Sequence, residues 1–83
     1  MTDKLRKQMD KGAEARFLLE RLGDFAKEYH ARLVGKWEVE RDPVARDLIW
    51  HRYQSVLDFE RHLKRIVSDG RDAERRLKEI ENG

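Results

Sequence analysis

The three histidines are the residues of this chain best suited to acid–base catalysis or metal binding. They are His30, His51 and His62. His51 and His62 are eleven residues apart, which on one helix separates them by about 16 Å along the axis, so they cannot bind one metal ion within one chain. No zinc-protease, nucleophile-elbow, phosphate-loop or dinucleotide-binding motif accompanies them. We therefore predict a protein that is not an enzyme and that needs no metal and no cofactor.

Basic residues near both ends of the sequence are the next candidates, because lysine and arginine side chains can bind phosphate groups. In a hairpin the two ends lie together, and the predicted phosphate contacts are then Lys4, Lys7, Lys11, Arg71, Arg75, Arg76 and Lys78. Carboxylates are interspersed among them, and neither segment has an aromatic side chain that could stack on a base. Nucleic-acid binding is therefore the less favoured of two hypotheses.

Aromatic and large apolar side chains nearer the middle of the sequence indicate protein–protein contact instead. Arg46 is predicted on the same helical face as Trp50, where its guanidinium can stack on the indole ring. Aromatic and arginine residues are enriched in protein interfaces. The predicted interaction surface consists of Phe25, Trp37, Trp50, Tyr53 and Leu57. The alternative is that the aromatic residues near the turn, Trp37, Trp50, Tyr29 and Tyr53, only close that end of the fold.

The composition is typical of an extended helical protein with a large solvated surface. Charged residues make up 43% and hydrophobic residues 39% of the 83 positions, and the net charge is only +2. The absence of cysteine excludes a disulfide framework and a thiolate site. The first residues lack the apolar core of a signal peptide, and no apolar run approaches the roughly 20 residues of a membrane span. We expect a soluble, cytoplasmic protein.

Two helices are needed to position these residues, because apolar and small side chains recur at steps of three and four in both halves of the chain. Asp42 and Pro43 separate the halves. Aspartate is a favoured N-cap, and proline fits the first helical position because its missing N–H needs no partner there. The predicted fold is all-α, a single domain over 1–83 formed by a long antiparallel helical hairpin. The first arm, the turn and the second arm are expected at 3–39, 40–43 and 43–81.

Gly23 could break the first arm and give three helices instead of two. The apolar spacing continues across it without a change of phase, which favours one continuous helix.

In the second arm the steps from Val56 onward alternate between three and four, which is the heptad pattern of a coiled coil.

Antiparallel pairing of the arms matches residues by size. Large residues assigned to the seam between the arms include Leu22, Tyr29, Phe59 and Leu63. The small residues form one layer, in which Gly12 is paired with Ala73 and Ala15 with Gly70. A layer of small residues lets two helices approach closely, so these glycines are interpreted as packing sites, with hinges as the alternative.

A second set of apolar residues flanks the seam, and a two-helix hairpin cannot cover it. Its members are Phe17, Leu18, Phe25, Val34, Val44, Leu48, Trp50, Leu57 and Val67. They can be buried against a second copy, against the first arm folded back at Gly23, or against another protein. We favour self-association into a homo-oligomer.

Two segments, Leu48-Ile49-Trp50 and Asp69-Gly70-Arg71-Asp72-Ala73, stand out together with the spacing of Gly12, Ala15, Leu18, Leu19, Phe25, Tyr29, Leu33, Trp37, Arg46, Leu57 and Leu63. In these features most of the chain resembles a group of small α-helical proteins of tailed bacteriophages. The resemblance implies a phage-encoded protein in the host cytoplasm or the virion, but those proteins are largely uncharacterised and it assigns no functional residue. The uncovered apolar residues and the missing catalytic motifs favour a non-enzymatic protein that self-associates or binds another protein. The alternative is a nucleic-acid-associated packaging or regulatory protein that resembles the oligomerisation core of a small terminase subunit.

Overall fold

The chain forms two long helices that pack against each other as an antiparallel hairpin. The computed structural model describes residues 2–83. Helix α1 is Thr2–Val39, helix α2 is Pro43–Asn82, and three residues connect them. The hairpin measures 62 × 21 × 14 Å. The predicted all-α hairpin is thus confirmed, and within residues 2–83 no helix is apolar over a length that could cross a membrane.

Helix α1 continues through Gly23 without a break, as the uninterrupted apolar spacing predicts. A methyl group on the Cα of Gly23 or of Gly35 would have no heavy atom within 4 Å. Neither glycine is therefore required by packing within the hairpin, and their cost to helix stability is the ordinary cost of glycine, about 1 kcal/mol each relative to alanine.

The reversal between the helices is fixed by Asp42 and Pro43 in the predicted roles of N-cap and first helical residue. Asp42 has extended backbone angles, φ −75° and ψ 122°, and its Oδ2 accepts a hydrogen bond of 3.1 Å from the amide of Ala45. The amide of Asp42 itself donates to Oε1 of Glu40 at 3.1 Å. Two side-chain acceptors thus satisfy backbone amides at this turn, where no helical partner exists.

The closest approach of the helices is at Gly12 and Gly70, which are both buried. A Cβ on Gly12 would lie 2.8 Å from the Cα of Gly70, and a Cβ on Gly70 would lie 2.7 Å from the Cα of Gly12. The predicted layer of small residues is present, and Ala15 and Ala73 are buried with it. The pairing within the layer differs from the prediction, because the two residues without a side chain meet each other and allow the shortest distance between the backbones.

The core of the hairpin is thin. Its buried apolar side chains are Leu5, Ala15, Leu33, Leu63, Ala73 and Leu77. Near the open end, Leu5, Ala73 and Leu77 form one cluster, with Met9 packed against it. Most other large apolar residues are partly or largely exposed, so the hairpin by itself leaves much of its apolar surface in water.

Candidate protein-interaction surfaces

A groove midway along the hairpin carries the largest group of exposed apolar side chains. Four of them lie on α1 and form what we call the apolar stripe, namely Leu18, Leu22, Phe25 and Tyr29. These four residues are 41%, 44%, 69% and 41% exposed, and Phe59 of α2, in the same groove, is 53% exposed. The groove has a volume of about 530 Å³. Exposed apolar surface of this extent makes the groove a candidate binding site.

The apolar stripe lies on one face of α1 because its residues follow one another at steps of four, three and four. Leu22, Tyr29 and Phe59 are predicted from the sequence to lie in the seam, and this assignment is wrong. The partly buried positions of α1 at this level are Gly23, Ala26 and His30. The space beside Gly23 is open, and the larger Leu22 and Tyr29 lie at the side of the seam with much of their surface exposed.

A second group of aromatic side chains, which we call the turn cluster, lies near the helix reversal. Trp37 and Trp50 have ring centroids 6.5 Å apart, and the rings of Trp50 and Tyr53 stack at 5.8 Å. The guanidinium of Arg46 lies 4.0 Å from the ring centroid of Trp37. The cation therefore stacks on Trp37 and not on Trp50, the predicted ring, because the turn brings the end of α1 over the start of α2.

The turn cluster borders a smaller cavity of about 260 Å³, lined by Leu33, Val34, Trp37, Ile49, Trp50 and Tyr53. The Nε of Arg46 is buried and has no hydrogen-bond partner within residues 2–83. A cation–π contact is the main interaction of this guanidinium, and such a contact contributes on the order of 0.5–2 kcal/mol. The cluster is therefore well explained as the closure of the hairpin end.

The predicted interaction residues fall into two places instead of one. Trp37, Trp50 and Tyr53 come together in the turn cluster, whereas Phe25 belongs to the apolar stripe. Phe25 precedes Trp37 by twelve positions, which rotates it by about 120° around α1. Leu57 is half-buried and lines neither cavity. In the sequence, the apolar stripe can be recognised by its own helical steps of four, three and four residues, which run beside the similar steps of the seam.

His30 is the histidine that contacts the opposite helix. Its Nε2 lies 3.4 Å from Oε1 of Glu60, without the geometry of a hydrogen bond, and its ring meets Tyr53 edge-on at 5.4 Å. His51 and His62 are exposed. Within residues 2–83 no three histidine or carboxylate side chains are grouped so that they could hold a metal ion.

The basic residues at the open end are all exposed, but carboxylates face several of them. Arg75 lies 3.3 Å from Asp72, and Lys78 lies 3.6 Å from Glu74. Lys4 and Arg76 line a common cavity in which Glu79 also takes part. Arg71 borders a small depression beside the Gly12–Gly70 contact. The remaining candidates, Lys7 and Lys11, are exposed on α1. The open end is thus of mixed charge.

No protein-family model, curated protein or solved structure matches this chain. Function is therefore inferred from the two surfaces and their charges.

Proposed function

We propose that this chain is a non-enzymatic helical protein that acts by self-association and protein–protein contact, and that the apolar groove is its main contact surface. The observation that carries the proposal is the apolar stripe, four large side chains at helical spacing with Phe59 beside them, all more than one-third exposed. Complete burial of one such side chain contributes roughly 1.5–3 kcal/mol. Covering the groove would therefore add several kcal/mol to a hairpin whose own core is thin.

A second copy of the chain suits this surface for a geometric reason. The groove is formed by two long helices, and the most efficient cover for a helical stripe is another helix with its own stripe. A symmetric dimer supplies that cover from the same sequence, because each copy contributes and receives the same patch. The resemblance to small helical phage proteins supports a setting in the host cytoplasm or the virion.

The test replaces Phe25 by glutamate and measures the mass of the protein by sedimentation equilibrium. We expect wild type to associate, and F25E to remain monomeric at the same concentrations, because a charge would be buried in the interface. The matched control is V44E. Val44 is also a largely exposed apolar residue, but it lies in the first turn of α2, away from the groove, where an acidic side chain suits the helix N-terminus, so its replacement should leave association unchanged.

Circular dichroism of both variants shows whether the helices are retained. A wild-type chain that stays monomeric up to about 1 mM, where even a complex of ~4 kcal/mol would form, contradicts the proposal. Equal association of F25E and wild type would contradict the assignment of the groove.

Nucleic-acid binding is the alternative, and the observation in its favour is the exposure of all seven basic candidates at the open end. In that case the protein would resemble the oligomerisation core of a small terminase subunit. The carboxylates beside Arg75 and Lys78 weaken this alternative, because each neutralises a charge that would otherwise face a phosphate.

A further inference from the structure

We infer that the apolar groove binds a second copy of this chain in one particular arrangement, a two-fold dimer in which α1 packs antiparallel on α1 and α2 packs antiparallel on α2. This inference rests on the proposed self-association and adds its geometry. Three observations carry it, namely the spacing of the stripe, the placement of the α2 side chains and the charges beside both.

The apolar stripe is complementary to itself when two α1 helices run antiparallel. If the two-fold axis passes between Gly23 and Asp24, Leu18 faces Tyr29 of the second copy and Leu22 faces its Phe25. Each contact then occurs twice, as an isologous interface requires. At both levels a leucine meets an aromatic residue of the second copy, so the two helices are held at a similar distance along the interface.

The same axis also suits α2. Leu22 and Gly23 lie beside Leu63 in the groove, so the axis crosses α2 near His62. There Phe59 faces Ile66 of the second copy, and His62 faces His62 of the second copy. Phe59, His62 and Ile66 follow one another at steps of three and four, which places them on one face of α2. A single two-fold axis therefore serves both helices of the hairpin.

Charged residues border these stripes at equivalent positions. Arg21 and Glu28 immediately precede Leu22 and Tyr29, and Asp58 and Arg65 immediately precede Phe59 and Ile66; all four are exposed. In the proposed dimer, Arg21 approaches Glu28 of the second copy and Asp58 approaches Arg65 of the second copy. Each pair of opposite charge occurs twice. The existing contact between Asp58 and Arg61, 3.4 Å within one helix, is exposed and easily exchanged.

The competing dimer places α1 on α2 of the second copy, and the same charges oppose it. The register of the two helices in the hairpin would then bring Arg21 near Arg65 and Glu28 near Asp58 of the second copy. Like charges meet at both places, which disfavours association. The charges beside the stripes therefore favour α1 on α1.

The face is large enough for a stable dimer. It measures 62 by 21 Å in its two longer dimensions, whereas a standard interface buries roughly 800 Å² on each partner. A stacked pair of hairpins that uses only the central part of the face would reach that area.

The decisive variant is Arg21→Glu, because the two arrangements predict opposite effects. In the proposed dimer, R21E replaces two attractive exposed pairs by repulsive ones, and we expect the dimer Kd at low salt to rise about fivefold to tenfold. The swapped variant R21E/E28R should return the Kd to within about twofold of wild type. The control R16E makes the same charge change on the side of α1 away from the stripe and should leave the Kd unchanged. Sedimentation equilibrium measures all four proteins.

A cysteine at position 62 gives an independent readout, because the chain has no other cysteine. In the proposed dimer the two copies of residue 62 meet at the axis, so H62C should form a disulfide-linked dimer on mild oxidation. A disulfide needs Cα atoms within about 7 Å, and the competing arrangement places these residues on diagonally opposite helices.

These experiments distinguish the arrangement of the dimer from self-association itself. A tighter R21E dimer, an unchanged R21E dimer, or no cross-linking of an H62C chain that still dimerises would overturn the arrangement while self-association stands. A wild-type chain that is monomeric throughout would overturn both.

Discussion

At the scale of single residues, Gly12 and Gly70 show most directly how this sequence specifies its hairpin. Their Cα atoms approach so closely that a single added methyl group would lie 2.7–2.8 Å from the opposite backbone. Backbone atoms cannot move aside as the end of a flexible side chain can, so the helices would have to separate. Glycine is thus required here for packing, and no unusual backbone angle is involved, since no glycine in residues 2–83 has a positive φ.

This contact predicts different effects for alanine at different glycines of α1. Gly12→Ala and Gly23→Ala gain the same helix propensity, about 1 kcal/mol, but only G12A forces the helices apart, at a cost of about 1–3 kcal/mol. Because the propensity gain is common to both variants, we expect the free energy of unfolding of G12A to be lower than that of G23A by about 1–3 kcal/mol. Urea unfolding monitored by circular dichroism measures it, and equal stabilities of the two variants would contradict the close contact.

At the scale of helices, the reversal could be predicted from the sequence because its signals are local. The N-cap, the proline after it and the apolar periodicity on either side all act within a few residues. The rotation of each helix about its axis could not be predicted in the same way. Leu22, Tyr29 and Phe59 have the spacing of seam residues, yet they are 41–53% exposed, and the partly buried positions of α1 beside them are Gly23, Ala26 and His30. A broad apolar stripe permits both rotations, and long-range packing selects one.

The two candidate interaction surfaces could be predicted only in part from the sequence. Aromatic content identified Trp37, Trp50 and Tyr53, and the structure brings them together. The contact of Arg46 with Trp37 was missed because it joins residues of different helices across the turn. The apolar stripe was missed as a unit because half of it was assigned to the seam.

The capping interaction at the start of α2 gives a prediction at this scale. Asp42→Ala removes the acceptor for the amide of Ala45 and should lower the free energy of unfolding by about 0.5–2 kcal/mol. Asp42→Asn keeps an acceptor oxygen and should remain close to wild type. Thermal unfolding at equal protein concentration compares them, and an unchanged D42A would mean that the cap contributes nothing to the reversal.

At the scale of the whole molecule, the hairpin exposes more surface than a compact protein of its mass. Its accessible surface is 7005 Å², whereas a compact monomer of 10.0 kDa would expose about 5,200 Å². The excess is similar in size to the total area of a standard protein–protein interface. An extended hairpin with exposed apolar side chains therefore gains more from association than a compact domain would.

The mixed charge of the open end leads to a prediction about nucleic acid. We expect titration of double-stranded DNA to show at most weak binding at low salt that disappears at moderate salt, because carboxylates neutralise part of the basic cluster. Binding that persists at moderate salt and is lost in a variant with Lys4 and Arg76 replaced by glutamate would favour the packaging or regulatory alternative instead.

The molar mass of the wild-type chain in solution, measured by sedimentation equilibrium over a range of concentrations, tests the central claim most directly. Self-association through the apolar groove predicts a mass that rises with concentration toward twice the 10.0 kDa of one chain. A constant mass of one chain at every concentration, with full helicity, would show that the hairpin is stable alone and would contradict the account.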